Sequence, residues 1–339
     1  MDNKLLQIEN LKTSFRINDE YYAAVDDVSL SINKNEILGI VGESGSGKSA
    51  LAFSIMKLHP KDKSKMEGHV YFKDQDLVPL TDRKMQRLRG NELGMIFQDP
   101  MSALNPLMII GDQITESLYF HTNSSKEKRK HRAIELLDLV GINNPETVYG
   151  QYPHELSGGM RQRVVIAIAI ACDPTFLIAD EPTTALDVTI QAQILDLINE
   201  LKEKLHTGVI LITHDLGVVA EMADRVAVMY AGQVVESAPV NELFNNPKHP
   251  YTRSLLQSNP TNNEAKTDLH VIQGIVPTLV NLPRQGCRFS DRIPWIADAA
   301  HEENPELHEI APDHFVRCTC YKDFYFPIKD QEVKENGAS

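Results

Sequence analysis

Eight residues, Gly42-Glu43-Ser44-Gly45-Ser46-Gly47-Lys48-Ser49, have the types and spacing that nucleotide phosphate chemistry needs. The glycines allow a tight loop whose backbone N–H groups converge on an anion. Lys48 can reach the β and γ phosphates, and the Ser49 hydroxyl can ligate Mg²⁺. The spacing is a full match to the P-loop pattern. A second candidate anion site is Leu156-Ser157-Gly158-Gly159-Met160, followed by Arg161-Gln162-Arg163. Ser157 can cap a helix there, and the two glycines let backbone N–H groups approach a ligand closely. A helix N-terminus of this kind attracts phosphate. Alone, the turn would read as an ordinary capped helix start; the upstream loop is what changes its meaning.

Further polar residues stand at the ends of apolar runs. Asp180-Glu181 follows Phe176-Leu177-Ile178-Ala179, and His214 follows Gly208 to Thr213. Alone, each is a solvated strand terminus or a structural histidine. In a chain with a P-loop, Asp180 fits a Mg²⁺-binding aspartate and Glu181 a base that activates water. His214 can then hydrogen-bond a γ-phosphate or orient the water. Gln98, in Ile96-Phe97-Gln98-Asp99-Pro100, has an amide that can reach Mg²⁺ and the attacking water. Phe15 lies upstream of the first buried strand, where its ring could stack on adenine.

These residues need a scaffold that places them together. Glu36 to Val41 is an apolar run of strand type, and Ala50 to Met56 reads as a helix packed on a sheet. Strand, glycine-rich loop and helix in that order is the context the P-loop requires. Thr175 to Ala179 and Gly208 to Thr213 are continuous apolar runs, as expected for parallel strands covered on both faces. Gln191 to Leu205 has Ile194, Leu197, Ile198 and Leu201 at helical spacing. Arg225 to Glu236 reads as a hairpin. Between Gln98 and Leu156 the pattern is helical, polar and loop-rich, which predicts a helical insertion in an α/β core.

The chain has 339 residues, 42% hydrophobic and 24% charged, which is the composition of a soluble globular protein. A formal net charge of -13 argues against a nucleic-acid binder and against adhesion to anionic lipid. No signal peptide is expected from the N-terminal residues, and no apolar run approaches a membrane span. Four cysteines, Cys172, Cys287, Cys318 and Cys320, are too few and too scattered for a disulfide scaffold. Cys172 reads as a small core residue.

The ordered motifs resemble the nucleotide-binding subunit of an ABC transporter. Gly42 to Ser49 corresponds to Walker A, Gln98 to the Q-loop, Leu156 to Gln162 to the signature, and Phe176 to Glu181 to Walker B. Ala185-Leu186-Asp187 corresponds to the D-loop and His214 to the H-switch. The resemblance implies a P-loop NTPase (RecA-like) α/β core with an antiparallel β subdomain, an α-helical subdomain and a small C-terminal extension. It implies a nucleotide-binding domain over 1–258, with the helical part at about 99–165, then a C-terminal domain over 259–328 and a disordered tail over 329–339. It further implies ATP and Mg²⁺, with Ser49, Gln98 and Asp180 serving the metal and Glu181, Gln98 and His214 the chemistry. Phe15, Gly42, Ser44, Gly45, Ser46, Gly47, Lys48 and Ser49 would hold one ATP. Ser157, Gly158 and Gly159 would serve the ATP of a partner subunit packed head to tail, and Gln162 and Asp187 are further expected nucleotide-binding residues.

Within that family the chain is similar to the oligopeptide-importer group, and its Met160-Arg161-Gln162-Arg163 looks like the first of two unlike ATPases. Asn246-Pro247-Lys248-His249-Pro250-Tyr251 and Pro283-Arg284-Gln285-Gly286-Cys287-Arg288-Phe289 carry the resemblance. The implied partners are a second, unlike ATPase subunit, two transmembrane permease subunits and an extracytoplasmic peptide-binding protein, with no nucleic acid. The implied location is the cytoplasmic face of the cell membrane, as a peripheral subunit. Dipeptide, nickel and metal-chelate importers share these motifs, and a soluble ABC ATPase is the remaining alternative. Many relatives carry four tail cysteines that can hold an iron–sulfur cluster. Here Cys287 and Cys318 fit two of the positions, Ile293 occupies the second, and the third is missing before Pro305. No iron–sulfur cluster is therefore expected, because it normally needs four thiolates. Cys287, Cys318 and Cys320 would need His301, His308 or His314 to complete a zinc set. The expectation is no metal, with Trp295, Phe315, Tyr321, Phe324, Tyr325 and Phe326 packing the tail instead.

Overall fold

A computed structural model describes residues 4–184, 186–258, 272–283 and 285–327. Ala185 of the D-loop, the boundary expected near 258/259 and the tail expected to be disordered from 329 lie outside the described residues.

The first stretch gives β1 (Lys4–Ile17), β2 (Glu20–Asn33), β3 (Ile37–Val41), α1 (Lys48–Ile55), β4 (Ser64–Phe72), β5 (Gln75–Asp76), α2 (Asp82–Leu88) and β6 (Leu93–Ile96). The helical insertion follows as α3 (Pro100–Ala103), α4 (Ile110–His121), α5 (Lys126–Leu139), α6 (Pro145–Tyr149) and α7 (Gly158–Ala169). Then come β7 (Phe176–Asp180), α8 (Val188–Leu205), β8 (Gly208–Ile212), α9 (Leu216–Met222), β9 (Arg225–Tyr230) and β10 (Gln233–Pro239). The last elements are α10 (Val240–Asn245), α11 (Pro250–Gln257), β11 (Leu307–Ala311) and β12 (His314–Arg317).

Two sheets result. β2-β1-β4-β5 is a four-stranded antiparallel sheet. The larger sheet has the order β11-β12-β10-β9-β3-β8-β7-β6, parallel from β9 to β6 and antiparallel from β10 to β11. All residues of β3, β7 and β8 are buried. Their side chains alternate between two cores. Leu38 and Ile40, with Phe176, Ile178, Ile210 and Ile212, face the antiparallel sheet. Ile37 and Val41, with Leu177, Ala179, Val209 and Leu211, face the helices. A strand covered on both faces has no polar side, which is why these segments read as unbroken apolar runs. The polar groups at their carboxyl ends then face a common edge, where α/β sheets bind ligands.

The helical insertion closes on its own apolar side chains. Ile114, Leu118, Leu136, Leu137, Val148 and Val164 are buried there and continuous with the helix-side core. The C-terminal extension is more than an aromatic pad. β12 pairs with β10 (Glu236 opposite Val316, Ser237 opposite Phe315), and β11 adds the outermost strand. The expected aromatic packing is present in part: the Phe324 ring lies 6.4 Å from Trp295 and 5.0 Å from Phe326, centroid to centroid, whereas Tyr325 is exposed and only its backbone oxygen is used, accepting from Trp295 Nε1 at 2.9 Å. The two strands escape a sequence reading because each is only four or five residues long, and β12 buries the polar His314 and Arg317 while leaving Phe315 partly exposed, the reverse of the usual pattern. Among the described residues no helix is long and apolar enough to cross a membrane.

Candidate functional site

The chain turns from β3 into α1 through Gly42 to Gly47. Gly47 has φ 101°, and a Cβ there would meet Ala24 O at 2.5 Å; a Cβ on Gly42 would meet Met229 O at 2.2 Å. Only glycine lets the loop pass this close to its neighbours. Ser46 N donates to Glu43 O at 3.1 Å and Gly232 N to Ser46 O at 2.8 Å, so the loop is held from both sides. Lys48 is buried, and its Nζ donates to Gly42 O at 2.7 Å and Glu43 O at 3.0 Å. Burial pushes its pKa below that of an ordinary lysine, partly offset by the nearby carboxylates of Glu181, Asp180 and Glu43. The Ser46 hydroxyl is buried with no hydrogen-bond partner, a state that an incoming oxygen ligand would relieve.

Across the loop, Ser49 Oγ donates to Asp180 Oδ1 at 3.1 Å. Burial raises the Asp180 pKa, the Ser49 hydrogen bond opposes that, and Glu181 adds to it. Glu181 sits at φ 46°, in the left-handed region that a non-glycine residue adopts at a cost. One of its oxygens, Oε2, gathers three neighbours: Gln98 Nε2 at 2.9 Å, Thr184 Oγ1 at 2.9 Å and His214 Nδ1 at 3.5 Å. A carboxylate so surrounded is positioned rather than free, as a base for one water must be. Phe15, Ser44 to Ser49, Gln98 and Glu181 line one cleft of about 410 Å³. The structure thus brings together all the upstream candidates, with Phe15 at the rim on β1 and Asp180 behind Ser49.

The signature turn lies elsewhere. Ser157 caps α7, its Oγ accepting from Met160 N at 3.3 Å, and Ser157 and Gly158 are exposed. Asp187 caps α8, accepting from Ile190 N at 3.0 Å. Ser157, Gly158, Gly159, Leu186, Asp187 and Ile190 line a second cleft, about 480 Å³ in volume. Among the described residues none lines both clefts. Gln162 lines neither; it is buried in α7 with its amide nitrogen unpartnered.

Several residues of the first cleft carry no local signal in the sequence. Leu279 and Leu282, from the C-terminal region, complete its wall. Arg292 reaches back to Glu43 inside the phosphate loop, with Nη1–Oε2 at 2.7 Å and Nη2–Oε1 at 3.2 Å, across 249 residues of chain. Glu43 N also donates to Tyr251 Oη at 2.7 Å. Thr184 was findable: a hydroxyl three residues after Glu181 can turn back onto it.

A P-loop, an ordered carboxylate and a remote, exposed second glycine-rich turn occur together on one chain. The sequence pattern of the ABC transporter family matches residues 25–184, and that of the oligopeptide/dipeptide transporter C-terminal region matches residues 235–295. The oligopeptide transport ATP-binding protein OppD of Lactococcus lactis subsp. cremoris (strain SK11) is 52% identical over 331 residues, 97% of each chain. The chain belongs to the oligopeptide transport ATP-binding proteins, a branch of the ABC transporters. The branch member AppD of Bacillus subtilis (strain 168) is 51% identical over 94% of this chain and 97% of its own. Among solved ABC cassettes, the ADP- and phosphate-bound post-hydrolysis dimer of MJ0796 matches with a TM-score of 0.63 and 30% identity. It covers 69% of this chain and 98% of that one. Like its relatives in the branch, the chain is an ATPase subunit with a C-terminal region of the oligopeptide/dipeptide type.

Proposed function

We propose that this chain binds ATP·Mg²⁺ in the cleft between Phe15 and Glu181, and hydrolyses it at a site completed by a second ATPase subunit, to power import of oligopeptides. The observation that carries this reading is the separation of the two clefts, which share no lining residue. An exposed Ser157-Gly158 turn with free helix N–H groups is an anion site, yet it cannot reach the phosphate held by its own Lys48. It can serve a phosphate held by another subunit, and the partner's equivalent turn can serve this one.

The residues divide the work. The loop N–H groups and Lys48 hold the β and γ phosphates, and Phe15 offers a ring to the base. Ser49, Asp180 and Gln98 would hold Mg²⁺, which would supply charge neutralisation on the phosphates. Glu181 accepts a proton from the attacking water, while Gln98, Thr184 and His214 fix the orientation of the carboxylate. Loss of the γ-phosphate removes the anion on which both the P-loop and the partner's equivalent turn converge, and the dimer opens. The α3–α4 region would pass this motion to the permease; it exposes Met101, Leu107, Tyr119 and Phe120, apolar side chains suited to a protein contact. The chain would sit as a peripheral subunit on the cytoplasmic face of the membrane, bound to two permease subunits and supplied by an extracytoplasmic peptide receptor.

The test is reconstitution with permease and receptor in vesicles, reading ATP hydrolysis and uptake together. Oligopeptides should stimulate both, and Glu181→Gln should abolish both. Stimulation by dipeptides, nickel or a metal chelate alone would move the cargo to that class while keeping the ATPase reading. Hydrolysis indifferent to the permease would overturn the transport role.

A further inference from the structure

We propose that Cys287, His301, Cys318 and Cys320 form a Cys3His site for a single Zn²⁺ ion that pins the C-terminal region to the ATPase core. One ligand atom from each of the four lies within 4.8 Å of every other. A tetrahedral zinc ion with Zn–S bonds of about 2.3 Å requires sulfur–sulfur separations of about 3.8 Å, which a set this compact reaches with small side-chain rotations. A four-iron cube fills the space between its ligands and holds them farther apart; it also normally takes four thiolates, and here there are three. The position of two expected cysteines has been lost, Ile293 being buried in apolar contacts instead, while Cys320 and His301 bring new donors to the same place.

The surroundings fit a metal better than a plain core. Three thiols, all free and all buried, meet at one point, where an apolar core would use alanine or valine. His301 Nδ1 is buried with no hydrogen-bond partner, an uncompensated cost unless something binds the ring. The two other candidate histidines are committed elsewhere: His308 Nε2 pairs with Glu302 Oε1 and His314 Nε2 with Glu236 Oε1, each at 2.8 Å. Glu302 N donates to Cys318 Sγ at 3.4 Å, the kind of outer contact that steadies a thiolate ligand. The backbone delivers the ligands from three separate turns. Gly286 N donates to Glu303 O at 2.9 Å, tying the Cys287 turn to the His301 loop, and Cys318 N donates to Glu306 O at 3.2 Å. Cys318 leaves β12 at φ 66°, which swings Cys320 back toward Cys287.

On binding, Zn²⁺ replaces the thiol protons, which pass to solvent, and no electron moves. The ion would lock the β11–β12 edge of the large sheet to the turn that carries Arg292, and so to Glu43 in the phosphate loop.

The experiment is elemental analysis of the full chain purified without chelator, followed by Co²⁺ exchange. The expected result is about one zinc per chain, little iron, and intense cobalt–thiolate absorption. Cys320→Ser and His301→Ala should each lower zinc content at least several-fold, while Cys172→Ser leaves it unchanged. Because those variants could misfold, thiol titration of the wild-type chain provides a second readout: the three tail thiols should react only after zinc is stripped, and Tm should fall on stripping. Stoichiometric iron, a disulfide between any two of these cysteines, or a metal-free chain with freely reactive tail thiols would each overturn the proposal.

Discussion

Glu181 is the residue on which the proposed chemistry turns, and its surroundings make one outcome specific. Its Oε2 already holds three polar neighbours, so the amide of Glu181→Gln fits the same space without the ability to take a proton. We expect turnover to fall by roughly 100-fold or more, with ATP affinity retained, measured by steady-state hydrolysis beside nucleotide binding. Asp180 supports a prediction of opposite sign for stability. Its pKa is raised chiefly by burial, so the folded chain binds a proton more tightly than the unfolded one. Stability therefore falls as pH rises from the ordinary aspartate pKa through the raised one, and the buried charge costs stability at all higher pH. Asp180→Asn keeps an oxygen for Ser49 and removes that charge. Its Tm should exceed wild type at pH 7–8, the difference should shrink in acid, and Mg²⁺-dependent hydrolysis should be lost. At this scale the sequence was readable wherever spacing alone implies a role, as at Lys48, Ser49, Asp180 and Glu181. It was silent about Arg292 and Leu279, whose roles exist only because distant segments meet.

Elements explain why those residues coincide. β3, β7 and β8 are buried on both faces and so were legible as apolar runs, and their carboxyl ends set Gly42, Glu181 and His214 along one edge. β11 and β12 were not legible, since pairing, β12 with β10 and β11 with β12, rather than their own composition, makes them strands. The Cys287 turn feeds Arg292 into Glu43, joining the C-terminal region to the phosphate loop. Arg292→Ala leaves the Glu43 carboxylate without its bidentate partner and should cost about 2 kcal/mol of stability, read by denaturant titration. It should also raise the KM for ATP, because Glu43 lies inside the loop. At α7, Ser157→Ala removes a cap worth about 1 kcal/mol and should barely change the isolated chain's ATP binding. The same substitution should strongly lower hydrolysis in the assembled transporter.

In the proposed reading the whole molecule is half of a catalytic unit. One face presents a P-loop cleft, another an exposed signature turn, and the chain carries a formal net charge of -13. The sequence implied this through the resemblance of its motifs, while the spatial separation of the two clefts could only come from the fold. Vanadate trapping of photoreactive ATP in the assembled transporter tests the composite site most directly, with Ser157→Arg in this chain only. Label should vanish from the partner ATPase, whose nucleotide that turn would complete, while the isolated variant binds ATP within about twofold of wild type, since its own cleft contains no signature residue. Undiminished labelling of the partner, with ATP binding lost from the isolated variant itself, would contradict the account.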